Sequence, residues 1–158
     1  MDHVRRAVLT DAQQIAEVHR LSRAEYYGLP PDENDEREAM WKHFLCEMDR
    51  ITYVVENSGV IVAVMSARHL NDPVAACEMT AIYVHPQHFG RGVGSRLYDA
   101  FEDERRVDEA GVLEVWAGNH RAIEFYQRRG WTLTPKTRVG PQDIPFVTYC
   151  LVARRPAG

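Results

Sequence analysis

Tyr83-Val84-His85-Pro86-Gln87-His88-Phe89-Gly90-Arg91-Gly92-Val93-Gly94-Ser95-Arg96-Leu97 is the stretch on which the fold is read. Residues 77–84 are apolar or β-branched often enough for a strand, and Pro86 ends it by removing a ladder donor. From Val93 the apolar residues Val93, Leu97, Ala100, Phe101 and Val107 fall at the spacing of a helix with one buried face. Gly90, Gly92 and Gly94 lie between the two elements. Alternate glycines allow positive φ and a close approach to the backbone, and a helix N-terminus presents unpaired N–H donors. The combination suits a phosphate group.

Two nucleotide readings fit poorly. A dinucleotide fingerprint wants glycine where Ser95 stands, and a nucleoside-triphosphate loop wants a lysine that the stretch lacks. The stretch resembles instead the acetyl-coenzyme A loop of the GNAT superfamily of N-acetyltransferases, Val-x-Pro-x-x-(Arg or Gln)-Gly-x-Gly-(Ile or Val)-Gly-x-x-Leu. Val84, Pro86, Gly90, Gly92, Val93, Gly94 and Leu97 match it, whereas Phe89 stands where the family has Arg or Gln. The resemblance implies that main-chain amides of Phe89 to Ser95 take the diphosphate of acetyl-CoA, with Arg91 or Arg96 supplying side-chain charge. It also implies that a main-chain N–H near Ile82, Tyr83 and Val84 polarises the acetyl carbonyl.

A second stretch runs from Leu113 to Trp131. Asn119, Ala122 and Tyr126 stand at i, i+3 and i+7, within about 60° around a helix, while Phe125 falls on another side where it can pack inward. Asn-x-x-Ala-x-x-x-Tyr-x-x-x-Gly-(Phe or Trp) is similar to the GNAT motif after the fifth strand. The resemblance implies that Asn119 bonds the pantetheine arm, Ala122 leaves room for it, and Tyr126 points at the thioester sulfur. A phenol there can protonate the departing thiolate.

An amine acceptor must lose a proton before it attacks, and a carboxylate within reach serves as base. Glu78 and Glu114 each interrupt an apolar strand run. Glu114 occupies the position that resembles the base of protein N-terminal acetyltransferases in the superfamily and Glu78 that of a base used by other branches; Glu114 is slightly preferred, with His120 as an outside candidate. Tyr26 and Tyr27, with the acidic run Asp32, Glu33, Asp35, Glu36 and Glu38, fall where the family's acceptor site is bordered, and Trp116 shares the strand side of Glu114. These are the candidate acceptor-binding residues. No motif places a cysteine as acyl carrier, so direct attack in a ternary complex is expected.

The 158 residues, 45% hydrophobic and 27% charged, suit one globular domain over 1–158. A net charge of −4 argues against nonspecific nucleic-acid binding, and no run approaches the about 20 apolar residues of a membrane span. A cytoplasmic protein is expected. Cys46, Cys77 and Cys150 lack paired spacing, so neither disulfides nor a metal site is expected.

In chain order we expect a strand over 3–9, a helix capped by Thr10 with Gln13, and a helix from about Glu36 carrying Met40, Trp41, Phe44, Leu45 and Met48 on one face. A hairpin of 51–56 and 60–69 should turn at Asn57-Ser58-Gly59. The helix after the glycine loop is expected to run to Gly111, with the charge run 102–109 as its wet face. A strand over 112–117, a helix from Asn119 to about Arg129 and a strand pair 131–138 and 146–153 close the chain. This order predicts an α/β, single-domain, mixed and mostly antiparallel sheet with helices on both faces, which is also the GNAT order. An edge strand of the closing pair could pair with a second copy. The expected function is acetyl transfer from acetyl-CoA to a primary amine of a small molecule or peptide. The alternative is a non-catalytic acyl-CoA-binding module of the same fold.

Overall fold

The computed structural model describes residues 2–33 and 36–155. Seven strands, β1 (Asp2–Arg6), β2 (Arg50–Asn57), β3 (Val60–Leu70), β4 (Ala76–Val84), β5 (Ala110–Trp116), β6 (Thr132–Arg138) and β7 (Phe146–Leu151), form one sheet in the order β1-β2-β3-β4-β5-β7-β6. β4 and β5 pair parallel, while β1 with β2, β2 with β3, β5 with β7 and β6 with β7 pair antiparallel. The α-helices are α1 (Ala12–Tyr27), α2 (Glu36–Cys46), α3 (Val93–Glu104) and α4 (His120–Arg128). None of them is long and apolar enough to cross a membrane. The mixed, mostly antiparallel sheet is the expected fold class.

Met1–Arg68 with Ala81–Glu104 forms one compact unit, and His69–Thr80 with Arg105–Gly158 the other. In the first, Ile15, Ala16 and Val18 of α1 and Trp41 of α2 pack on Val54 and Ile61. The opposite face of β2 is met by α3, where the Tyr53 hydroxyl donates to Glu104 at 2.5 Å. Helices therefore cover both faces there. The hairpin turns with Ser58 at φ 51° and Gly59 at φ 81°, the left-handed pair that matches strand twist.

Several expectations shift for identifiable reasons. Thr10 does not cap α1. Asp11 precedes it, its carboxylate held by Arg5 at 2.8 and 3.0 Å and by the Val8 N–H at 2.8 Å, so a 3-10 turn leads into Ala12. The Arg5 guanidinium, with the Val8 amide, holds the Asp11 carboxyl below its ordinary range. β1 accordingly stops at Arg6. α2 ends at Cys46, which leaves Met48 fully exposed rather than on the apolar face.

α3 ends at Glu104, not Gly111, and the charge run 102–109 is a wet face only in part: Asp103, Arg106 and Asp108 are exposed, whereas two members turn inward. In the second unit Arg105 and Glu109 are 4% and 1% exposed, and Arg105 Nη1 donates to the Glu109 carbonyl at 2.7 Å. Val107 is exposed. Gly111 lies inside β5, where a Cβ would sit 2.7 Å from the Trp131 ring. The β6 edge carries Pro135, which lacks a donor.

Candidate functional site

In the first unit, β4 ends at Val84 and Pro86–His88 form a 3-10 turn, fixed by the Gln87 N–H donating to His85 Nδ1 at 3.1 Å. Gly90 and Gly92 follow at φ 75° and 78°, and nothing lies within 4 Å of a Cβ built on either. Backbone conformation demands glycine there, and the space beside both stays open. α3 then starts at Val93, anchored by the buried Val93, Leu97 and Phe101. This is the expected strand, glycine turn and helix N-terminus, with Gly94 and Ser95 in the first turn. Phe89 is half-buried, Arg91 is exposed, and Arg96 Nη1 donates to the Asp2 carbonyl at 3.1 Å.

Ile82, Tyr83 and Val84 are half-buried. The Tyr83 ring stacks on His19 with centroids 4.2 Å apart and an interplanar angle of 14°, and burial pushes its phenol up to about 12. His19 Nδ1 accepts the Trp41 indole N–H at 3.2 Å. Burial, with Arg37 and Arg23 nearby, lowers His19 to about 4, so the ring is neutral at physiological pH. Tyr26 and Tyr27 pack at 4.6 Å, burial raises the Tyr26 phenol, and the Arg23 guanidinium lies 4.9 Å from the Tyr27 ring centroid.

Two members of the acidic run, Asp32 and Glu38, are in ion pairs. Asp32 takes Arg37 at 2.6 and 3.1 Å and Arg23 at 3.7 Å, and Glu38 pairs with Lys42 at 3.2 Å. Asp35 lies outside the described residues. A cleft of about 780 Å³ beside these helices is lined by residues of both signs, among them Glu17, Arg20, Glu33 and Arg37.

In the second unit, Asn119 is the N-cap of α4, its Oδ1 accepting the Ala122 N–H at 3.3 Å. Ala122 is half-buried and His120 exposed. Tyr126 and Phe125 exchange the places expected of them. Tyr126 is 4% exposed, and Phe125 is half-buried with the Arg129 guanidinium 3.5 Å from its centroid. The chain N-terminal to Trp131, itself buried, turns back on α4 and draws the Tyr126 side inward. The Tyr126 hydroxyl donates to the Met79 sulfur at 3.7 Å.

Glu78 is half-buried between the buried Cys77 and Met79. The parallel register Glu78↔Val112 and Met79↔Leu113 sets Glu78 on one sheet face with Val112 and Glu114, and Met79 on the other. Glu114 is exposed and bound by Arg138, Nη2 at 2.6 Å and Nε at 3.2 Å from both oxygens. Trp116 is 5% exposed, and its indole N–H donates to the carbonyls of Pro141 and Ile144 at 3.1 and 3.0 Å. It thereby pins the loop before β7, and its ring occupies the space where a Cβ on Gly118 would stand.

The sequence reads His19 as a packed histidine on the α1 stripe and Trp41 as part of an apolar helix face, but not their hydrogen bond, nor the contact of Met79 with Tyr126. A histidine on the α1 stripe and a tryptophan on the α2 stripe were the available signals, but their contact spans 22 residues.

The model of the Acetyltransferase (GNAT) family matches residues 15–131. The chain belongs to that family, and membership supports acetyl transfer as its class of chemistry. No curated relative matches the chain by sequence. Among solved structures it is similar to an acetyltransferase from Thermus thermophilus, at 18% identity, TM-score 0.74, with 95% of this chain and 96% of that one covered. It is similar to the ribosomal-protein-S18-alanine N-acetyltransferase from Escherichia coli, at 20% identity, TM-score 0.73, covering 100% and 97%. The structure of yncA from Salmonella typhimurium with its cofactor acetyl-CoA aligns at 22% identity, TM-score 0.73, covering 99% and 96%.

Proposed function

We propose that the protein is an acetyl-CoA-dependent N-acetyltransferase, one domain over residues 1–158, that acetylates a primary amine by direct attack in a ternary complex. The observation that carries this reading is the Tyr126 hydroxyl, buried and already directed at a sulfur atom, that of Met79. A thioether is a weak acceptor, easily exchanged for a thiolate.

The chain offers acetyl-CoA a fitting cradle. The positive-φ glycines 90 and 92 leave open space beside the backbone, and the α3 N-terminus supplies N–H donors to a diphosphate. Arg91 and Arg96 add charge, and Asn119 and Ala122 receive the arm. When bound, the co-substrate supplies an activated acetyl thioester. A main-chain N–H of residues 82–84 would donate to the acetyl oxygen and stabilise the charge that develops there, and Tyr126 would give its proton to the departing sulfur.

The amine proton goes to a carboxylate. The sequence favours Glu114 slightly, but Glu114 is exposed and paired with Arg138, and this reading gives first place to Glu78, which is half-buried within β4. Tyr26 and Tyr27 of the first unit are kept as candidate acceptor-binding residues in this reading, and Trp116 of the second is kept through the loop that its indole N–H pins. The Asp32 charge is shared by Arg37 and Arg23, and the acceptor in this reading is a primary amine of a small molecule or a peptide.

Release of free thiol from acetyl-CoA, measured with a panel of small amines and peptides and matched to an acetylated product, tests the reading. Turnover with at least one acceptor is expected. Tight acetyl-CoA binding with no turnover on any acceptor contradicts it and favours the non-catalytic module.

A further inference from the structure

Three side chains outside that machinery converge in the second unit. His69 lies near the end of β3, Cys77 at the start of β4 and Glu109 in the turn before β5. Cys77 is 0% and Glu109 1% exposed, while the His69 side chain keeps 17% of its surface in solvent. His69 Nδ1 lies 2.9 and 2.8 Å from the two Glu109 oxygens, and the imidazole nitrogen, thiol sulfur and carboxylate oxygen all fall within 4.8 Å of one another.

The cluster is braced from behind. The Arg106 N–H donates to Glu109 Oε1 at 2.7 Å, Arg105 Nη1 holds the Glu109 carbonyl, and the register Cys77↔Gly111 fixes β4 against β5. The Arg106 guanidinium approaches Glu109 at 3.8 Å but is 62% exposed and can swing into water.

Charge and softness both select the ligand. A thiolate and a carboxylate together balance a dication, and thiolate with imidazole favours zinc over the hard cations magnesium and calcium. Tetrahedral zinc, with bonds of about 2.0 to 2.3 Å, needs its ligand atoms roughly 3.3 to 3.8 Å apart. The separations found here, from 2.8 Å to at most 4.8 Å, bracket that range.

We propose that His69, Cys77 and Glu109 bind one zinc ion, with water as fourth ligand, and clamp the end of β3 to β4 and the turn before β5. The exposed edge of His69 is the way in. Binding expels the Cys77 thiol proton to solvent, and the His69 ring carries its proton on Nε2 so that Nδ1 can coordinate. The spacing, 69, 77 and 109, is too dispersed to read as a motif. The site stands whether or not the acetyl-transfer reading holds.

The test is cobalt titration of the chelator-treated full chain, using a Cys46→Ala, Cys150→Ala double variant in which Cys77 is the sole thiol. A saturating 1:1 thiolate-to-cobalt charge-transfer band, displaced by zinc, is expected, together with a zinc-dependent rise in Tm. Cys77→Ala should abolish the band, and His69→Asn or Glu109→Gln should weaken zinc binding at least about tenfold. Absence of the band in the double variant, or a band that survives Cys77→Ala, overturns the proposal. A zinc-induced Tm rise without the band puts the metal elsewhere and overturns it too. If Cys77→Ala does not fold, the double variant decides alone, since only Cys77 can give the band there.

Discussion

Trp41 donates its indole N–H to Nδ1 of His19 at 3.2 Å, so the neutral imidazole carries its own proton on Nε2. Protonating the ring would break this bond and charge a half-buried group near Arg37 and Arg23.

That arrangement has a signed consequence for stability. The folded-state value, about 4, lies below the unfolded 6.5, so between these pH values the unfolded chain binds more protons. Stability from this group is intact above pH 6.5 and falls as pH drops toward 4, by up to about 3 kcal/mol. Urea melts of wild type and His19→Gln between pH 4.5 and 7.5 should show a shallower slope in the variant. Equal slopes would contradict the assignment.

The glycines separate into two kinds. Gly111→Ala forces a Cβ against the Trp131 ring, and a loss of about 1–3 kcal/mol in chemical denaturation is expected. Gly90→Ala meets no neighbour but strains a φ of 75°, at a cost of about 1–2 kcal/mol. Its larger effect should be a raised KM for acetyl-CoA. A normal KM with Gly90→Ala would count against the loop as a phosphate cradle.

Glu78→Gln should reduce kcat/KM at neutral pH by at least about 100-fold and recover at high pH, where the acceptor deprotonates unaided. Glu114→Gln and Arg138→Gln should change it far less. A pH-rate profile for the three variants decides, and the reverse order would assign the base to Glu114.

What could be read in the sequence was local. Pro86, the glycines at 90 and 92 and the apolar spacing from Val93 all act within a few residues, so the strand, turn and helix start fall where expected. Gly28 at φ 67° closes α1 for the same reason. The end of α3 was not legible, because Glu109 leaves the helix pattern to meet His69, 40 residues away. Nor was the inward turn of Tyr126, which depends on Met79, 47 residues distant. Charge patterning predicts solvent for a run like 102–109, and only tertiary partners reverse that for Arg105 and Glu109.

The acetyl-transfer reading rests most heavily on the Tyr126 hydroxyl. Tyr126→Phe keeps the ring in its packing and removes the hydroxyl that donates to the Met79 thioether, a weak acceptor, so the fold should be retained. Turnover and acetyl-CoA affinity should be measured side by side on this variant. The expected result is a kcat lower by at least about 100-fold with an unchanged Kd for acetyl-CoA. Wild-type kcat in Tyr126→Phe would show that this phenol does not serve the leaving sulfur.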